Sequence, residues 1–116
     1  MLSEADVVRL RHMLDASQEA IAFASNRSRQ GLDEDRMLSF ALVRAIEIIG
    51  EAARRVSEET VAAHPEPPWR EMISMRNHII HEYDEVDLEI VWDTVQKDVP
   101  RLISLVKPLV PSDDGS

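Results

Sequence analysis

The sequence predicts an all-α fold, an up-and-down bundle of four to five helices. Three observations carry this expectation. Apolar residues recur at steps of three and four in long stretches. The breaks between those stretches are polar or proline-rich. No alternating strand pattern of useful length, internal repeat or low-complexity tract interrupts the series.

The first helix is expected to start at Ser3, with Asp6 at the third helical position in a capping-box arrangement. Val7, Leu10, Leu14, Ile21 and Ala24 form its predicted inner face, with Ser17 filling the missing step. The pattern fades over Ser25-Asn26-Arg27-Ser28, and Gly31 reads as a turn. Asp33 is the expected cap of a second helix reaching about Glu58, with a seam of Leu38, Leu42, Ala45, Ile49, Ala52 and Val56. Gly50 inside that helix costs about 1 kcal/mol relative to alanine, which points to a close helix crossing. His64-Pro65-Glu66-Pro67-Pro68 cannot be helical, because successive prolines remove donors and exclude the α region before them.

A shorter helix is expected from near Trp69, carrying Met72, Ile73, Met75, Ile79 and Ile80. Asp87 reads as the cap of the last helix, whose inner face is Leu88, Val91, Val95, Val99, Leu102 and Val106. Pro100 should kink that helix or restart it. Residues 1–110 form one expected domain, and 111–116 a frayed, flexible tail.

A chain of 116 residues allows a single modest core. Without cysteine there are no disulfides and no thiolate metal sites, which fits a reducing cytoplasm. Glu4, Asp6, Arg9, Arg11 and Asp15 leave no apolar signal-peptide centre. No apolar run approaches the ~20 residues that cross a bilayer, so no membrane association is expected. The net charge of −9 argues against a generic nucleic-acid coat. If the chain handles RNA, it needs a local cationic cleft, and two copies could assemble one.

Residues 76–83 read Arg-Asn-His-Ile-Ile-His-Glu-Tyr. RNA can be cut without a metal when its own 2′-hydroxyl attacks the neighbouring phosphorus, a route closed to DNA. Such an enzyme moves a proton from that hydroxyl, gives one to the leaving 5′-oxygen, and stabilises charge on the phosphoryl oxygens. Histidine titrates near neutral pH and suits the proton transfers, which nominates His81. Arginine binds phosphoryl oxygens in pairs and keeps its charge, which nominates Arg76. Asn77, His78 and Tyr83 are candidate helpers in holding RNA, with Tyr83 suited to donate a hydrogen bond to the same phosphate or to hold a base.

Geometry constrains this pairing. Five residues along an ideal helix turn roughly 500°, which points Arg76 and His81 about 140° apart. For both to reach one phosphate, the helix must end or loosen within the motif, or a second copy must complete the site. A symmetric dimer would pair two Arg/His sets across one groove. The bland alternative has Ile79 and Ile80 as core, with Arg76 and His81 ion-paired to Glu82 or Asp84 on a solvated shoulder. A metal reading of His78 and His81 lacks further ligands, since only His12, His64 or carboxylates remain. No metal and no cofactor are expected. Arg44, Glu47, Glu51 and Arg54 form a polar line on the second helix, usually a solvated face.

The Arg-x4-His-x-Tyr pattern formed by Arg76, His81 and Tyr83 resembles the signature of the HEPN superfamily. Ile49-Gly50-Glu51-Ala52, Pro67-Pro68-Trp69, the stretch from Val86 to Trp92 and Asp98-Val99-Pro100-Arg101-Leu102 resemble the accompanying blocks of HepT-like toxins. The resemblance covers most of the chain from about residue 36 to 105, and the place of Arg44 and Glu47 within it makes either a candidate for a supporting role beside the motif. It implies a dimeric, α-helical, metal-independent endoribonuclease that acts as the toxin of a toxin–antitoxin pair. It also implies a small MNT-type nucleotidyltransferase as cognate antitoxin, and Tyr83 as the candidate site of AMP addition. That modification would place negative charge and bulk where an RNA phosphate must sit. A reading from a different class is a non-catalytic helical module that binds a nucleotidyltransferase. The acidic balance suits it, but a scaffold has no need of the full Arg/His/Tyr set.

Overall fold

The computed structural model describes residues 2–80 and 85–111. Helix α1 runs Glu4–Ala24, and the Ser3 side chain accepts from the Asp6 amide at 3.1 Å. The helix starts as expected, and the Asp6 carboxylate keeps a minor hydrogen bond with the Ser3 side chain but is held chiefly by the start of α4. It accepts from the Ser57 amide (3.0 Å), the Ser57 hydroxyl (2.6 Å) and the Thr60 hydroxyl (2.6 Å). The inner face of α1 is also rotated from the expected one. Leu10, Met13, Ala16, Ser17, Ala20 and Ala24 are buried, whereas Leu14 is half-buried and Ile21 is exposed. Small residues on the inward side let α1 lie close to its neighbour, and the larger Leu14 and Ile21 sit on its shoulders.

The turn after α1 uses Asn26 at φ 61°, a left-handed conformation that asparagine tolerates better than most residues. Helix α2 (Arg29–Glu34) follows, capped by Ser28, so Gly31 lies inside a helix rather than at a turn. Asp33 pairs with Arg29 at 3.2 Å within α2 and caps nothing downstream. The cap of α3 (Arg36–Arg54) is Asp35, which accepts from the Leu38 amide at 3.0 Å. Helix α3 stops at Arg54, short of Glu58, because Ser57 starts a separate α4 (Glu58–Ala63).

The predicted α3 seam is buried in full: Leu38, Leu42, Ala45, Ile49, Ala52 and Val56 all face the core. The His64–Pro68 break is non-helical, and the Trp69 indole N–H donates to the His64 carbonyl at 2.7 Å across it. Helix α5 (Trp69–Ile79) then crosses α3 at Gly50. A Cβ there would lie 3.0 Å from the Met72 carbonyl oxygen and 3.4 Å from that of Ile73. Because both neighbours are backbone, Gly50→Ala forces the helices apart despite alanine's better helix propensity. We expect a net loss of about 1–2 kcal/mol, read as a lower urea midpoint at unchanged slope.

Asp87 caps α6 (Leu88–Asp93), accepting from the Ile90 amide at 3.1 Å. A π-helical turn (Thr94–Asp98) joins α6 to α7 (Val99–Val106), and the Val99 amide reaches back to the Thr94 carbonyl. Pro100 explains this widening: in a continuous α-helix its ring would strike the Gln96 carbonyl. The wide turn lets the helix restart without losing its inner face, since Val91, Val95, Val99, Leu102 and Val106 are fully buried. Leu88 is only half-buried. A 3₁₀ turn (Lys107–Leu109) ends the described helical structure, and Arg11 Nη2 donates to the Pro111 carbonyl at 3.0 Å. The rest of the predicted tail, residues 112–116, lies outside the described residues.

The result is an all-α bundle of four principal rods: α1, α3, α5 and the α6–π–α7 unit, with α2 and α4 as short connectors. Helix α3 is central, packing on α1 and on α5, while α7 closes against α1. No helix among the described residues is long and apolar enough to cross a membrane.

Candidate active site

Helix α5 ends inside the motif. Its last helical residue is Ile79, and Ile80 is extended (φ −105°, ψ 126°). An isolated antiparallel bridge pairs Ile80 with Val86, and the Asp87 amide donates to the Ile79 carbonyl at 2.7 Å. Ile79 and Ile80 are thus tied to Val86 and Asp87. The buried Ile79 anchors the end of α5 in the core. Because α5 has ended before His81, the 140° separation expected of a continuous helix does not apply. His81 and Tyr83 themselves lie outside the described residues.

Arg76 stands on the last turn of α5, half exposed, and its Nε donates to Glu47 Oε2 on α3 at 3.0 Å. The cross-helix pair is made possible by the close α3–α5 approach at Gly50. Of the polar line on α3, Glu47 is the residue joined to the described part of the motif. Arg44 pairs with Glu51 at 3.6 Å, both well exposed, and that contact stays on the surface of α3. Asn77 is exposed. His78 Nε2 lies 3.2 Å from the Ser74 hydroxyl one turn back. Two residues along a helix turn about 200°, so Arg76 and His78 leave α5 on nearly opposite sides. Arg76 turns toward α3, and His78 borders a cleft between α5 and the α6–π–α7 unit. The guanidinium can therefore meet a phosphate at the end of α5 while its Nε is held by Glu47. The Nη pair forms an edge suited to two phosphoryl oxygens.

The model of the ribonuclease HepT-like family matches residues 13–109. This chain belongs to that family. A probable ribonuclease HepT of Thermococcus cleftensis is 47% identical over 68 residues, 59% of this chain and 62% of its own length. A candidate RNase of Caldanaerobacter subterraneus is 36% identical over 101 residues, covering 87% of this chain and 90% of its own. A further candidate RNase, from Methanocaldococcus jannaschii, is 33% identical over 93 residues, 80% of this chain and 85% of its own. No solved structure matches the chain. The matched region contains the whole Arg76–Tyr83 motif, Glu47 and the α6–π–α7 unit.

Sequence reasoning missed three polar residues gathered near the motif: Glu71, Asp98 and Arg101, which border the cleft beside His78. The only available signal was the placement of Asp98 and Arg101 around Pro100 in one of the family-like blocks. The Ser74–His78 contact was also missed, although a serine four residues before a histidine on a helix would have indicated it.

Proposed function

We propose that this HepT-like chain is an endoribonuclease that cuts RNA without a metal. The substrate's 2′-oxygen bonds to phosphorus and the bond from phosphorus to the 5′-oxygen breaks, leaving a 2′,3′-cyclic phosphate and a 5′-hydroxyl. Arg76 stabilises charge on the phosphoryl oxygens, and His81 handles the proton leaving the 2′-hydroxyl or reaching the 5′-oxygen. Asn77, His78 and Tyr83 help to hold the RNA.

One observation carries this reading: α5 stops at Ile79, with a half-exposed guanidinium on its last turn and the rest of the motif following directly. A helix end is where two motif residues five positions apart are freed from pointing to different sides. The site works in a homodimer, which supplies the second Arg/His set and concentrates positive charge on a chain of net charge −9. Exposed Met37 and Phe40, on the outer face of α3 that also carries Glu47, offer apolar surface for the second copy. The chain is the toxin of a toxin–antitoxin pair, silenced by an MNT-type nucleotidyltransferase through AMP addition at Tyr83. A cytoplasmic location follows from that role.

The test is incubation of pure protein with single-stranded RNA in excess chelator, run beside His81→Ala. The native chain should cut and leave cyclic-phosphate ends, with at least about a hundredfold less product from the variant. Equal nicking by both samples would remove the nuclease reading and favour a module that binds the nucleotidyltransferase without cutting.

A further inference from the structure

The cleft beside the motif has a volume of about 350 Å³, at the small end of the ~300–1,000 Å³ range typical of small-molecule sites. It is built by the π-helical turn, whose first and last residues, Thr94 and Asp98, both line it. π-Turns are rare and gather at functional sites. The floor is apolar, made by the buried Met75 and Leu102 with half-buried Ile90. The rim is polar: Glu71 and His78 from α5, and Asp98 and Arg101 from across the cleft.

Floor and rim together define what fits. A flat apolar-faced ring suits the Met75–Leu102–Ile90 floor, and the methionine thioether is a favourable neighbour for an aromatic system. Glu71 and Asp98 repel a phosphate, so the group that enters is a base and not the backbone. Carboxylates accept hydrogen bonds from base N–H groups, while a guanidinium donates to base acceptors. Guanine alone among the four RNA bases presents two adjacent N–H donors, N1 and N2, together with two adjacent acceptors, O6 and N7. A rim holding both carboxylates and Arg101 matches that pattern, with arginine to O6 and N7 a favoured base contact. Single-stranded RNA is read in this way, by bases splayed out of the stack into side-chain pockets.

We propose that this cleft binds a guanine base of the RNA strand cut at the neighbouring motif, and so sets where the chain cuts. The proposal rests on the ribonuclease reading for its substrate and on the cleft alone for its chemistry. An RNA strand crossing the end of α5 would meet Arg76 on one side with a phosphate and the cleft on the other with a base.

Two measurements test it on the full chain. The first sequences the ends produced from a random single-stranded RNA pool and takes the ratio of cuts beside guanine to cuts beside other bases. Native protein should favour guanine by at least about fivefold, within the discrimination of one paired contact. Arg101→Ala, the double change Glu71→Gln with Asp98→Asn, and Ile90→Trp, which fills the floor, should each bring the ratio within about twofold of unity. The second follows the Met75 methyl resonance during titration with GMP or UMP. GMP should shift it in native protein and not in Ile90→Trp, with a smaller response to UMP. A ratio unmoved by all three variants, or a Met75 methyl silent to GMP, overturns the guanine site while the nuclease reading stands. A chain that cuts no RNA but shows the Met75 shift loses the nuclease reading and keeps the guanine site.

Discussion

Replacing Asp6 with alanine is expected to lower stability by about 3 kcal/mol, a large share of the ~5–15 kcal/mol typical of a domain. Asp6 is 3% exposed, and its carboxylate binds three donors around the start of α4. Ser57 caps α4 with the same hydroxyl that it donates to Asp6, so one acid organises two helix starts. Removing it takes the acceptor from three donors at the start of α4, and the melting temperature should fall by roughly 10 °C. Stability should also depend on acid. The hydrogen bond from the Ser57 hydroxyl, then that from Thr60, holds the Asp6 carboxyl below the usual carboxylate range. Its contribution is complete above the unfolded value of ~3.9 and is lost as pH falls through the lower folded value. Asp35, lowered first by its hydrogen bond from Arg27, follows the same sign at an exposed site. Urea midpoints of native protein and Asp6→Asn should therefore converge between pH 5 and the most acidic conditions the fold survives. A constant gap across that window would mean that Asp6 acts by shape and not by charge.

The same residue shows where reading the chain stops. Periodicity located every principal rod, because each must bury one face and the spacing of that face is local information. The α3 seam was legible in full for this reason. Helix boundaries were less so. Asp33 and Asp35 are both acids placed before an apolar run, and only the folded chain selects Asp35. The role of Asp6 was invisible, since its partners lie 51 and 54 positions away. On α1, large Leu14 and Ile21 outweighed Ala16 and Ala20 in the pattern, but close packing on α3 favoured the small residues. At the site, the motif stood out by residue type, and Gly50 announced the crossing that brings α3 to α5. The cleft did not stand out. It depends on a π-turn made by Pro100, and no apolar spacing distinguishes a π-turn from a kink.

Arg76→Ala is expected to reduce RNA cleavage by about 10²–10³-fold, the usual cost of removing one donor to a developing oxyanion. Arg76→Lys should recover only part of this, since a point charge cannot bind two oxygens in a plane. The more discriminating variant is Glu47→Gln. Glu47 lies on α3 and touches the motif through Arg76 Nε at 3.0 Å, so under the proposed mechanism its task is to position Arg76 and not to touch the RNA. With Arg76 half exposed and Glu47 26% exposed, the pair is screened by solvent and adds little stability, so its removal should leave the urea midpoint nearly unchanged. Its effect belongs to rate: a guanidinium no longer held by Nε must be ordered again in each transition state, at a cost of about tenfold in kcat. The double variant decides the mechanism. If Glu47 acts through Arg76, adding Glu47→Gln to Arg76→Ala changes nothing further, and the two effects are fully non-additive. Multiplicative losses would place Glu47 on the RNA or on the partner subunit by a route of its own, and would end its assignment as the residue that aims Arg76.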